Sequence, residues 1–218
     1  MRFTKTYNDD PLSSPKNDIV CVEPRFVLRQ PVTLILKEKL FSFSGDDFSI
    51  KDINDVVYFK CKGKAFNLRD KKILYDLYQK PILNIQNKIL SLKRYMKIYE
   101  GDQSEKQLAS ISKKSFISIK KHVIEFYNQV TNKTEYLEMK CDFFGYSCAI
   151  FYGKEKEGAP LIAKVSKKIN AKLLLTSQED YYCQVAAGVD IAFMTALAIC
   201  FDEYKNEGDD NSVTIKLL

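Results

Sequence analysis

Along most of this chain apolar and polar residues alternate with a period of two, the pattern of strands with one buried face. Phe41 and Phe43 alternate with Ser42 and Ser44, and Phe48 and Ile50 alternate with Ser49 and Lys51. Between them Ser44-Gly45-Asp46-Asp47 supplies a hairpin turn. A second turn, Asp52-Ile53-Asn54-Asp55, leads to a strand with Val57, Phe59 and Cys61 on one side and Tyr58, Lys60 and Lys62 on the other. After Gly63 the apolar positions move to Phe66 and Leu68, a change of parity that predicts a β-bulge or bend at Gly63. Ile82, Leu83 and Ile85 precede a strand at residues 95–99, the polar stretch 101–114 reads as a loop, and three further segments repeat the strand theme up to residue 175. The sum is many short antiparallel strands, hence a barrel or sandwich.

The last apolar stretch, VDIAFMTALAICF at residues 189–201, breaks this rhythm. Val189, Ile191, Ala192, Phe193, Met194, Ala196, Leu197, Ile199, Cys200 and Phe201 leave only Asp190 and Thr195 polar. A helix that is apolar all round must be buried all round. At ~1.5 Å per residue it reaches roughly 20 Å, short of the ~30 Å hydrocarbon core of a bilayer. It therefore reads as the enclosed C-terminal helix of a strand-rich domain, with Asp190 as its N-cap or as a first-turn acid favoured by the helix dipole, and no transmembrane segment. Asp202 and Glu203 at its other end oppose the helix dipole and are expected to reach solvent.

Composition adds limits. The chain has 218 residues, 45% of them hydrophobic, which suits one domain with a sizeable core. Residues 1–18, with Pro11, Ser13, Ser14 and Pro15, read as a disordered lead-in, residues 19–205 as the barrel domain, and residues 206–218 as a second tail. The N-terminus lacks the apolar core of a secretory signal, so a cytoplasmic protein is expected. None of the six cysteines forms a CxxC pair and there is one histidine, His122, so no zinc site is assigned. Cys61, Cys183 and Cys200 fall in apolar runs and read as small buried hydrophobes.

The segment SFSGDDFSIKDINDVVYFKCKGKAFNLRDKKILYDLYQKPILNIQNKILSLKRYMKIYEGD strongly resembles the LURP-one-related family. The motifs are Ser44-Gly45-Asp46, the Phe-Lys-x-Lys-Gly-Lys strand at residues 59–64, Leu68-Arg69-Asp70 and Lys80-Pro81-Ile82-Leu83, together with the closing Val-Asp, apolar helix and acidic pair. The resemblance covers roughly residues 20–205. It implies a mainly β fold shared with tubby C-terminal domains and phospholipid scramblases, a closed 12-stranded antiparallel barrel around a central hydrophobic helix. Tubby domains bind phosphoinositides, and scramblases move lipids with calcium; plant members of the LURP-one-related family are linked to pathogen defence. No local motif matches the tubby phosphoinositide site or the scramblase calcium segment, so no functional residue is carried over from either.

The residues themselves offer a few candidates. Lys60, Lys62 and Lys64, with Arg69, Lys71 and Lys72 beyond them, read either as a basic ladder for lipid phosphates or as a solvated strand face. Lys120-Lys121 and Lys167-Lys168 are adjacent pairs whose members face opposite sides of a strand. His122 has no Ser or Cys partner assignable from the sequence, and Asp46-Asp47 lacks the spaced ligands of an EF-hand. The net charge of +6 permits attraction to anionic membranes or nucleic acid, of which nucleic acid ranks lower. The expectation is a non-enzymatic, monomeric module without cofactor that associates peripherally with anionic (phosphoinositide) membranes. A signalling or protein-interaction scaffold and scramblase-like lipid translocation are the alternatives.

Overall fold

The computed structural model describes Tyr7 and residues 9–37, 48–63, 71–90, 93–113, 121–142, 147–166 and 180–201. The strands are β1 (Val32–Lys37), β2 (Phe48–Asp52), β3 (Val57–Gly63), β4 (Lys71–Tyr75), β5 (Pro81–Leu90), β6 (Lys93–Glu100), β7 (Gln107–Lys113), β8 (Lys121–Asn128), β9 (Lys133–Cys141), β10 (Ser147–Phe151), β11 (Leu161–Ser166) and β12 (Asp180–Val185). Each pairs antiparallel with its sequence neighbour, and β1 pairs with β12, so twelve strands close into a barrel. Helix α1, residues 191–201, runs through its interior.

The two periodicities of the sequence map onto these elements. On β8, His122, Ile124, Phe126 and Asn128 are buried while the residues between them are not, the pattern of a strand with one face inward. Every residue of α1 is buried, and Phe193 stacks at 5.2 Å from Phe126 while Phe201 meets Tyr181 edge-on at 6.2 Å. These two contacts fix its direction, because Phe126 lies near the end of β8 and Tyr181 near the start of β12. The helix enters at the end where the turns 53–56, 76–80 and 129–132 sit, and leaves at the opposite end. The expected 12-stranded barrel around a hydrophobic helix is what the structure has.

Asp190 fixes the helix entry. Its Oδ1 accepts from the amides of Ala192 (3.0 Å) and Phe193 (3.1 Å), the expected N-cap. Its Oδ2 accepts from the amides of Cys21 (3.2 Å) and Val22 (2.7 Å), so one carboxylate serves two segments. Burial raises its pKa to about 6, against the four amides, which favour the ionised form.

Three expectations change. First, the described part of the lead-in is seated on the barrel. The Ser13 amide donates to the Leu161 carbonyl at 2.8 Å, and Lys164 Nζ donates to the Asp10 carbonyl at 2.8 Å. Tyr7 and Leu12 cover Ala149, Phe151 and Leu161, which explains why β10 and β11 are buried on both faces. Proline and serine deny this segment its own regular structure, but the apolar outer face of two strands gives it somewhere to pack.

Second, the polar stretch read as a loop over 101–114 is a turn at 101–106 followed by strand β7. Ala109 and Ile111 are its inward residues, and the small Ala and Ser side chains of QLASISK dilute the apolar signal. Third, β3 and β4 keep register through Gly63↔Lys72, while register shifts fall at Ile50/Lys51 and Leu74/Tyr75. Thus no bulge interrupts the described part of β3 at Gly63. Phe66 and Leu68, the Ser44–Asp47 turn, Lys120, the Lys167-Lys168 pair, the Asp202-Glu203 pair and the tail 206–218 lie outside the described residues.

The turn after β2 forms as read. Asp52 Oδ1 accepts from the amides of Asn54 (2.8 Å) and Val56 (3.0 Å), and Asp55 takes a positive φ of 64°.

Candidate anion-binding face

Strands β3 to β6 are neighbours, and their charge is nearly of one sign. Between residues 56 and 99 the sequence carries 11 basic residues against two acidic ones, Asp70 and Asp76. On the strands themselves stand Lys60 and Lys62 (β3), Lys71 and Lys72 (β4), Lys88 (β5), and Lys93, Arg94 and Lys97 (β6). The acid on these four strands is Glu100, at the last position of β6, where Lys106 pairs with it at 3.1 Å.

Register decides which of these cations lie side by side. Lys60 stands opposite Tyr75, Lys62 opposite Ile73, and Gly63 opposite Lys72. Phe59, Cys61 and Leu74 face the core, so the half-buried Lys60 faces outward. Lys71, Gln86 and Lys97 form one row across three strands, because Lys71 pairs with Gln86 and Gln86 with Lys97. Lys72 belongs to the other set, in register with Ile85. The structure therefore separates Lys71 from Lys72, which the sequence had placed in one patch. Lys64 and Arg69 lie outside the described residues.

The turn at 101–106 lies across the outer face of β5. Asn84, fully buried, donates through Nδ2 to the carbonyls of Gly101 (2.9 Å) and Gln103 (2.7 Å), and Gln86 donates to Ser104 Oγ. Lys71 Nζ donates to the Asp102 carbonyl. This flap occupies the middle of the basic face and leaves Lys60 on one side and Lys97 on the other. Among the described residues neither Lys60 nor Lys97 has an ion-pair partner, and both are half-buried.

The opposite wall is balanced instead. Glu138 meets Lys121 at 2.6 Å and Lys140 at 3.4 Å, and Lys140 also meets Glu155. A groove of about 530 Å³ on that side is lined by Tyr136, Tyr152, Leu137 and the carboxylates of Glu135, Glu138 and Glu157. Burial, followed by its bond to Glu135 at 2.6 Å, lifts the Tyr152 hydroxyl to about 12.

Sequence reasoning found the β3–β4 cations by their alternation and missed Lys88, Lys93, Arg94 and Lys97. The missing signal was the near-absence of acids over residues 56–99, which holds whatever the strand register. Among the described residues no three His, Cys, Asp or Glu side chains cluster to hold a metal, and no helix is long and apolar enough to cross a membrane.

The comparisons with known proteins agree with the fold. A protein of Arabidopsis thaliana solved by X-ray crystallography superposes with a TM-score of 0.58 at 18% identity, covering 84% of this chain and 97% of that one. Protein LURP-one-related 10 of Arabidopsis thaliana is 28% identical over 87% of this chain and 98% of its own length. The uncharacterized protein YxjI of Bacillus subtilis is 28% identical over 84% of this chain and 99% of its own. The family model described as LURP-one-related matches residues 32–202, nearly the whole barrel and its helix. This chain belongs to the LURP-one-related family.

Proposed function

We propose that this protein binds rather than catalyses, and that it docks peripherally on anionic lipid surfaces, phosphoinositide-bearing ones included, through the β3–β6 face. The observation that carries the reading is the run of four adjacent strands with basic residues on every one and a single acid at the far rim. A strand-borne lysine next to an anionic membrane contributes ~1 kcal/mol, and the contributions of neighbours accumulate over a Debye length. Among the described residues no carboxylate pairs with Lys60 or Lys97, which leaves both cations available to a phosphate oxygen. The anionic leaflet in question is the cytoplasmic one.

Co-sedimentation with vesicles tests this. Vesicles of phosphatidylcholine containing phosphatidylserine and a phosphoinositide bind the protein in a salt-dependent way, and pure phosphatidylcholine vesicles do not. Equal recovery in the supernatant with both, at physiological salt, overturns the proposal.

A further inference from the structure

At the end of the barrel where α1 leaves, β8, β9 and β10 bring His122, Cys141 and Cys148 together. Cys141 on β9 stands opposite Cys148 on β10. The next pair outward is Asp142 and Ser147, and the Asp142 amide donates to the Ser147 carbonyl at 2.9 Å. Antiparallel ladders alternate bonded and non-bonded pairs, so Cys141 and Cys148 form a non-hydrogen-bonded pair, where Cα atoms come to ~4.5 Å and side chains are closest. That spacing falls within the ~4.4–6.8 Å a disulfide spans. Both thiols are free here, and Cys148 and His122 both act on the ionisation of Cys141. Cys148 is buried, whereas Cys141 keeps part of its surface exposed. The other four cysteines are buried.

We infer that Cys141 and Cys148 are a reactive dithiol that a hydroperoxide oxidises to a cross-strand disulfide, with His122 positioning the attacking sulfur. The neighbouring Cys148 thiol is the largest influence on Cys141 and lowers its pKa; burial opposes this, and His122 adds to the lowering. Burial holds Cys148 protonated until it is needed. The Cys141 thiolate attacks one peroxide oxygen, the O–O bond breaks, and the departing oxygen takes a proton as alcohol or water. Cys141 is then a sulfenic acid. The Cys148 sulfur attacks that sulfenic sulfur, the S–O bond breaks, and the hydroxide leaves as water with the Cys148 proton. Two thiols and one peroxide give a disulfide, one alcohol or water, and one further water.

The test uses the full-length reduced protein and hydrogen peroxide. Substoichiometric oxidation lowers the mass by about 2 Da, and peptide mapping finds Cys141 linked to Cys148. Cys148→Ser halts at a sulfenic acid on Cys141 that a cyclic dione captures. His122→Gln slows oxidation about tenfold while the linked peptide remains the product. Mapping the wild-type chain needs no variant to fold. Cys141 and Cys148 recovered as separate thiols after other cysteines have reacted, or Cys141→Ser consuming peroxide at the wild-type rate, overturns the inference.

Discussion

The carboxylate of Asp190 accepts from the backbone amide of Val22 at 2.7 Å, tying the helix entry to a segment 168 residues earlier in the chain. The same oxygen takes the Cys21 amide, while its partner oxygen caps α1. Asp190→Ala leaves these buried donors without an acceptor and is expected to cost about 3–5 kcal/mol. Urea unfolding of the variant measures it, and a loss under 1 kcal/mol contradicts the reading.

The titration of Asp190 gives a second expectation. Its folded-state pKa is about 6, against ~3.9 for an unfolded aspartate. The native state thus binds the proton more tightly. Stability from this group is present below about pH 4, is lost as pH rises toward 6, and is constant above, a change of order 2–3 kcal/mol. Asp190→Asn lacks this titration. The gap between wild type and this variant should narrow from pH 4 to pH 6 and stay level to pH 8, as read by denaturant midpoints.

Ala192 and Ala196 face the barrel interior with no exposed surface. Lysine at either position places an ammonium among apolar side chains with no counter-charge, so the variant should fail to fold rather than dissociate from a membrane. Circular dichroism and solubility separate the outcomes; a folded, soluble Ala192→Lys protein would show that the helix is not enclosed.

Charge reversal at Lys60 and Lys97 tests the basic face without touching the core. Each of Lys60→Glu and Lys97→Glu should weaken binding to anionic vesicles about tenfold, with a shallower salt dependence and an unchanged melting temperature. Lys154→Glu on the opposite wall, where Lys154 already pairs with Glu157 at 2.6 Å, serves as the control and should leave vesicle binding unaltered.

Asn84 holds the flap at residues 101–106 through two carbonyls. Asn84→Ala should loosen that turn at a cost of about 1–3 kcal/mol, raising amide exchange in residues 102–106 well before the strands beneath. Uniform exchange across the barrel would instead mean that Asn84 supports the whole sheet.

How much of this was legible beforehand follows from what each signal encodes. The helix was plain, since an all-apolar segment ended by Asp190 admits one packing solution. The alternation of Phe59, Cys61 and their neighbours gave β3 directly. Strand β7 was hidden because Ala109, Ser110 and Ser112 carry little contrast between faces. The row Lys71, Gln86, Lys97 depends on register between three strands, which no local pattern states. Likewise His122 and Cys141, 19 positions apart, become neighbours only through the β8–β9 pairing, which is why the histidine had no visible partner. The seating of Tyr7 and Leu12 was obscured by the composition around them, which reports the absence of regular structure and not the absence of a docking surface.

The strand that closes the barrel and the helix that fills it come after the other eleven strands in the chain: Val32 of β1 pairs with Val185 of β12, and α1 follows directly. While the chain is being synthesised, twelve strands emerge before the helix that occupies their inner face. That face must stay open, wet and adhesive until residue 201 leaves the ribosome. The molecule is assembled like a cask whose staves are cut before the rod they must surround. A messenger truncated before α1 should therefore yield a product that aggregates, however complete its sheet.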